Sequence, residues 1–520
     1  MITSKPRVRV QAGSSLYRPV AGYLRDQPVI NMPVPALRDR VDDVRSAWYR
    51  ANALATDAAL NNGWIAGVVE QMVSSMIGTG LRLSYKPDGR VFGWDDQATG
   101  EYARIVEKRW GIWSSQPREC DAGARYTVAQ MQAAVIRQWA ATGEALGQIT
   151  AFRRVGAESF TKVKLIPSHW LSRETREYDG LQTGVYLDAN GAATGYLFNV
   201  RDRFLGQKQV IQSASDNYGR PVIIHVFDGE ASQVRGITPL APALKIVRQF
   251  DQLSDATLTA AMIHAIFAAT VESDYPTSDV MNALKDVEEQ VTDLEPGRLA
   301  GGWDAFMDAK VGWNRSVNID LGRNGKIAHL LPGEKLKLQS SEHPNSTYES
   351  FAKFLLREIS ACLGVLPSDL TGDYTGDTYS SIRMGIAKKW PLVEYRRKHI
   401  PARFTQGIFE AWLEEEIDTG RINIPGGISS FLQYRTSLTR AYWRGPPKPQ
   451  ADDTKASAAH ATWLKMGVIT QEQICNDLGL DFEDVMEQLS RERKMREAMG
   501  LPDPVLAMSG GSGASSQQTS

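Results

Sequence analysis

Apolar positions recur at three- and four-residue spacing over residues 36–77, with a break at Gly63 and a stop at Gly78-Thr79-Gly80. That pattern predicts helix. Two more helices are predicted at about 99–113 and at Val128–Ala141, the second behind Thr127 as an N-cap. The period then shortens to two. Leu146–Phe152, Lys162–Ile166, Gly184–Leu187, Tyr196–Val200 and Val222–Phe227 read as antiparallel strands bounded by turn residues. Asp188-Ala189-Asn190-Gly191 signals a hairpin between two of them, because Asn-Gly readily takes left-handed geometry.

From Ala243 to Tyr275 there is neither Gly nor Pro, and Leu244, Val247, Leu258, Met262, Ala265, Ile266 and Ala269 keep helical spacing. A single helix is predicted over that span, roughly 50 Å long. An acidic segment follows, with Glu272, Asp274, Asp279, Asp286, Glu288, Glu289, Asp293 and Glu295 against Lys285. Val317–Leu321 and Lys326–Leu331 then flank Asn324-Gly325, a second hairpin signal. Ser346-Thr347-Tyr348-Glu349 fits a capping box opening a helix. Its stripe is Tyr348, Phe351, Leu355, Ile359 and Cys362, and Gly364 ends it. A polar loop, Asp369–Ser381, leads into helical sequence that runs to about Asp418 and is punctuated by Pro391 and Pro401. Residues 452–499 read as two or three polar helices separated at Gly467 and Gly479. The whole is an α+β pattern.

Composition narrows the function classes. The chain has 520 residues, room for several domains, with 59 Lys+Arg against 60 Asp+Glu. A protein that grips nucleic acid by overall attraction is clearly basic, so that class is excluded. The charge is sorted along the chain instead: residues 1–35 carry Arg7, Arg9, Arg18 and Arg25 and read as a flexible basic arm. Residues 501–520, ending in Ser- and Gly-rich sequence from Ser509, read as a disordered tail. Cys120, Cys362 and Cys475 are too few and too scattered for a disulfide framework or a Cys-rich zinc site. The first fifteen residues lack the apolar core of a signal peptide. Ala260–Val271 is too short to span a bilayer. A chain without a membrane anchor is expected.

Catalytic signatures fail one by one. Gly325-Lys326 lacks the upstream Gly and the following Ser/Thr of a phosphate-binding loop. Gly78-Thr79-Gly80 follows a helix and has Leu83 where a dinucleotide fingerprint needs Gly. HExxH, GxSxG and CxxC are absent, and His169, His225 and His264 stand singly in apolar sequence as structural histidines. Asp369, Asp373 and Asp377 are the carboxylates a metal-dependent enzyme acting on nucleic acid would use; a solvated loop is the better reading.

A specific set of motifs remains. Arg235-Gly236-Ile237-Thr238-Pro239-Leu240-Ala241-Pro242-Ala243-Leu244 heads the long helix, and Pro332-Gly333-Glu334 precedes the next. Tyr348-Glu349-Ser350-Phe351, Glu358-Ile359-Ser360-Ala361-Cys362-Leu363-Gly364-Val365-Leu366-Pro367, Leu370-Thr371-Gly372-Asp373-Tyr374 and Tyr379-Ser380-Ser381-Ile382-Arg383 follow. Ala47–Asn61, Met76-Ile77-Gly78-Thr79-Gly80-Leu81 and Ile166-Pro167 complete them. Together these residues resemble the lambda-family portal proteins of tailed phages.

The resemblance implies an α+β portal fold. Residues 36–239 and 365–451 would form the wing, the second part including the tunnel loop. Residues 240–273 and 346–364 would be the stem helices, 274–345 a small α/β clip, and 452–500 a helical crown. It further implies a ring of about twelve subunits at one capsid vertex. Double-stranded DNA would be packaged and ejected through it. Terminase large subunit, major capsid or scaffold protein and a head-tail adaptor would be partners. The location would be the virion, with host cytoplasm before assembly, and no cofactor, metal or catalytic residue is implied.

By the same resemblance Asp373, Tyr374, Thr375, Asp377, Tyr379, Ser380, Ser381 and Arg383 form a DNA-facing tunnel loop. Leu244, Val247, Leu258, Met262, Ile266, Phe351, Leu355 and Ile359 pack the stem, and Asp279, Asp286, Glu288, Glu289 and Asp293 give the clip an acidic surface. The cationic run Arg383, Lys388, Lys389, Arg396, Arg397, Lys398 and Arg403 is read as pairing with Glu414-Glu415-Glu416 of a neighbouring subunit rather than as facing DNA. A structural adaptor without a channel is the remaining alternative.

Overall fold

The computed structural model describes residues 39–202, 206–266, 269–273, 334–338, 348–376, 378–449 and 453–501. Helix α1 (Arg40–Asn61) meets α2 (Gly63–Ile77) at Asn62, whose side-chain oxygen accepts the amides of Trp64 and Ile65. The predicted break at Gly63 is therefore an N-cap placed one residue earlier. Helix α3 (Asp96–Ser115) follows. Helix α4 (Val128–Thr142) opens with a reciprocal Thr127–Gln130 capping box.

Gly143 ends α4 at φ +77°, where a Cβ would lie 2.0 Å from the Ile237 carbonyl carbon. Only glycine permits that turn and that approach. The chain then enters the three-stranded antiparallel sheet β3-β2-β8, built from β2 (Glu144–Ala151), β3 (Thr161–Ile166) and β8 (Ile223–Phe227). A four-stranded meander stands beside it: β4 (Leu181–Gln182), β5 (Val185–Leu187), β6 (Ala193–Asp202) and β7 (Gly206–Ser213). The β5–β6 turn is the predicted one. The Asp188 carboxylate accepts the amides of Asn190 and Ala192, and Gly191 sits at φ +82°.

The carboxyl-terminal half closes the same core. Helix α8 (Pro401–Asp418) buries Phe404, Ile408, Phe409, Trp412 and Leu413 completely. Trp110 lies 5.2–5.5 Å from the rings of Trp113, Phe409, Trp412 and Trp443. Strand β1 (Arg82–Tyr85) pairs antiparallel with β11 (Ala441–Arg444), joining the two ends of the described core. The Trp110–Trp412 and Trp110–Trp443 contacts and this strand pair unite sequence more than 300 residues apart.

The long helix is shorter than its periodicity predicts. Helix α5 covers Leu244–Ile266, and Ala269–Ser273 is strand β9, paired antiparallel with β10 (Glu334–Leu338). Thr270 and Val271 are β-branched and suit a strand. The competing partner lies more than 60 residues on, beyond the reach of any local period. Helix α6 (Tyr348–Leu363) is its neighbour, closed by Gly364 at φ +67°; Ser346 and Thr347 of the expected capping box lie outside the described residues.

Pro391 lies inside α7 (Tyr379–His399) without ending it, whereas Pro401 opens α8 at its first turn, where its missing N–H costs nothing. Three helices close the described chain: α9 (Asp453–Lys465), α10 (Gln471–Asp477) and α11 (Phe482–Met499), with Gly467 and Gly479 at φ +70° and +72° between them. Among the described residues no helix is long and apolar enough to cross a membrane.

Candidate functional site

The segment that leads into α5 is fixed by a buried charge cluster. Glu144, at the head of β2, accepts the Arg235 guanidinium, the Gly236 amide at 3.0 Å and the His225 ring at 3.1 Å. Arg235 also donates to the carbonyls of Ser172 and Thr183 and lies 4.5 Å over the Trp48 ring. Burial works to raise the Glu144 carboxyl, but the Arg235 charge and the His225 and Arg235 hydrogen bonds outweigh it and hold the group at about 2. Four pieces of the core thus converge on Arg235, nine positions before α5 begins. His225 is the satisfied structural histidine the sequence suggests, whereas His169 is exposed.

Helices α5 and α6 pack against each other and against the core. Val247, Phe250, Leu355, Leu356 and Ile359 are buried, Leu244 packs at the margin, and Ser254 meets the Tyr348 hydroxyl at 3.3 Å. Phe351 (51% exposed), Phe354 (59%) and Leu258 (62%) face outward. In the single chain Phe351 and Leu258, both expected among the stem-packing residues, are thus exposed rather than buried. The side chains of Met262 and Ile266 lie outside the described residues, as do Asp279, Asp286, Glu288, Glu289 and Asp293 and the predicted 317–331 hairpin.

The expected polar loop is narrower than 369–381. A short helix, Pro367–Thr371, takes up its first part, and Gly372 ends that helix at φ +66°. Asp369 is held by Lys389 at 2.6 Å, which pins this helix to α7. Asp373 accepts the Thr375 amide at 2.9 Å and faces Lys353 of α6 at 3.7 Å. The Thr375 hydroxyl and the Lys353 charge keep its carboxyl below the usual range. Tyr374 is half exposed and Thr375 exposed. Thr378 caps α7, exchanging hydrogen bonds with Ser381 at 3.2 and 2.9 Å. Ser380 and Arg383 are exposed on the first turns of α7; Asp377 and the Tyr379 side chain lie outside the described residues. Asp369 and Asp373 thus point to different lysines, and no three His, Cys, Asp or Glu side chains gather as a metal site among the described residues.

The expectation for Glu414-Glu415-Glu416 is corrected. Glu414 pairs with Arg435 at 2.7 Å, Glu415 with Arg421 at 2.6 Å, and Glu416 with Arg421 at 2.8 Å and Arg109 at 2.5 Å. Glu415 also accepts the Phe160 and Thr161 amides. Successive helical positions point about 100° apart, so each carboxylate finds its own partner inside the chain and none remains for a neighbour. Part of the cationic run is likewise employed internally. Arg396 caps the Leu363 carbonyl, Arg397 donates to the carbonyls of Ser75, Met76 and Pro446, and Lys389 holds Asp369. Arg383, Lys388, Lys398 and Arg403 stay exposed.

Residues 33–397 match a family described as phage portal protein, lambda family. The portal protein of Escherichia phage N15 is 30% identical over 470 residues, covering 88% of this chain and 87% of its own. Portal protein B of Escherichia phage lambda is 28% identical over 466 residues, covering 88% and 86%. Among solved structures, a chain from the neck of an empty GTA particle aligns over 86% of this chain and 96% of its own, at 15% identity and a TM-score of 0.44.

Proposed function

Because the chain belongs to the lambda family of phage portal proteins, we propose that it works as one subunit of a ring of about twelve copies at a capsid vertex, the channel through which double-stranded DNA enters and leaves the head. The observation that carries this reading is the likeness to two phage portal proteins over 88% of the chain. The outward Phe351 and Phe354 on α6 supply an apolar face of the kind a heterologous ring contact needs. The loop 372–378, with Tyr374, Thr375 and the capping Thr378, presents hydroxyls suited to weak, sequence-blind phosphate contact. Terminase large subunit, a major capsid or scaffold protein and a head-tail adaptor are the partners this role requires, and none of its steps is catalytic.

Negative-stain imaging of the purified full chain tests the ring. Closed rings with a central hole are expected. A strict monomer at every concentration, or an assembly without a hole, would overturn the channel.

A further inference from the structure

Three helices and a strand pair line a cleft of about 960 Å³ that no part of the proposed role uses. Its walls come from α7, α8, the β1–β11 pair and α10, and it gathers what is left of the cationic run once the internal pairs are removed. Lys398 and Arg403 line it, are exposed, and make no ion pair among the described residues. Arg440 joins them from the turn before β11. Its guanidinium donates to the Tyr442 hydroxyl at 3.0 Å and lies 5.8 Å from the centre of that ring, which is half exposed.

The other cations of the cleft are already engaged. Lys86 pairs with Glu472 at 3.5 Å, Arg444 with Asp481 at 3.2 Å, and Arg397 is spent on backbone carbonyls. Glu394 and Glu410 accept from the neutral Trp390 indole and Gln406 amide and keep their negative charge, so the three cations Lys398, Arg403 and Arg440 outnumber the two carboxylates without an ion pair among the described residues. Lys398 and Arg403, which make no ion pair among the described residues, and Arg440, held against Tyr442, therefore line one cleft that contains an exposed aromatic ring. We propose that this cleft is a second contact site for nucleic acid, in which Lys398, Arg403 and Arg440 hold the phosphodiester backbone beside Tyr442.

The chemistry selects a phosphate track over a protein partner. Protein interfaces are anchored by apolar side chains in desolvated pockets. Here Trp443 turns its ring into the aromatic core, 5.5 Å from Trp110, and gives its N–H to Gln406, leaving Tyr442 as the exposed ring. Cations and a tyrosine hydroxyl in one cleft are groups that contact phosphates and so position a duplex without reading its sequence. Contact confined to one cleft is compatible with a net charge of -1 and gives the ring a hold on DNA separate from the loop at 372–378. The assignment rests on the portal reading for its biological sense, but not for its test.

The test is fluorescence anisotropy of the full chain with a labelled mixed-sequence DNA duplex across a salt series. The same preparations are imaged for rings. Lys398→Ala/Arg403→Ala/Arg440→Ala is expected to weaken binding by about tenfold or more, and to lower the slope of log affinity against log salt by about 2–3. Arg50→Ala/Arg153→Ala/Lys208→Ala, which removes three exposed cations elsewhere, is expected to leave both unchanged. The single change Arg403→Glu, at an exposed position, guards against a folding defect in the triple variant and is expected to weaken binding as well. Unchanged affinity and slope in the cleft variants would overturn the site and leave the cleft to an acidic protein; equal loss in the control would reduce the effect to net charge and overturn it too. Cleft-dependent binding without rings would support the site while counting against the channel.

Discussion

Arg235 and Glu144, 91 residues apart in sequence, meet as a buried pair with side chains 2% and 0% exposed. Removing either partner strands the other as an uncompensated charge, which typically costs about 3–5 kcal/mol. Arg235→Ala is therefore expected to lower the melting temperature sharply, with circular dichroism as the measure. Glu144 adds a pH dependence of definite sign. Its folded value, about 2, lies below its ordinary value of 4.5. Its contribution is thus complete above about 4.5 and lost as pH falls toward 2. Over that window the wild-type protein should lose more stability than Glu144→Gln; identical acid profiles would show that the pair does not stabilise the fold as a charge.

Lys389 and Asp369 seat the short helix before the loop on α7, with side chains 12% and 15% exposed. Each single change, Lys389→Met or Asp369→Asn, should cost about 1–3 kcal/mol, because it leaves a largely buried charge unpaired. The double variant should cost less than the sum. Chemical denaturation of all four proteins gives the coupling directly, and strict additivity would mean that the two groups do not interact in solution.

The α5–α6 pair separates folding from assembly. Ile359 is 1% exposed and Leu355 6%, so a charge at either position disrupts the subunit itself and says little about a ring. Phe351 and Phe354 are the informative positions. Phe351→Asp/Phe354→Asp should keep the melting temperature of the isolated subunit within a few degrees, since exposed substitutions usually change stability by about 0.5 kcal/mol or less. Imaging should show no closed rings. Normal rings from this variant would remove α6 from the subunit interface.

What the sequence makes legible follows from range. Elements with a strong local period, such as α4 behind its Thr127–Gln130 cap and the β5–β6 hairpin at Asn190-Gly191, stand where their patterns predict. Strands β1 and β11 are four residues each and gain their identity only by pairing across more than 350 residues, so no window reveals them. The β9–β10 pair hides in the same way behind an alanine-rich helical period. At the candidate site the loop is readable from its Gly and Thr residues. Which charges are spent inside the chain is not, because Glu416 reaches Arg109 and Arg397 reaches Met76 only after folding. Glu144 carries one usable signal: a lone carboxylate opening an otherwise uncharged strand demands a buried partner.

Glu107 gives the opposite pH dependence from Glu144. Its carboxylate accepts the Tyr85 amide at 2.6 Å, and burial, with Asp481 and Glu483 adding repulsion, pushes it up to about 7. Asp481 and Glu483 belong to the carboxyl-terminal helices, which meet the core through Arg444–Asp481 and Arg104–Glu483. A carboxyl whose folded value lies above its unfolded one stabilises below about 4.5, and that contribution is lost as pH rises through about 7. Glu107→Gln keeps an acceptor for Tyr85 and never ionises. It should raise stability at pH above about 7, by about 2–3 kcal/mol at most, and change little in mild acid, where the wild-type group is already neutral. Thermal melts of the two proteins across that range are the check. A gain of the same size at every pH would locate the effect in packing rather than in the charge.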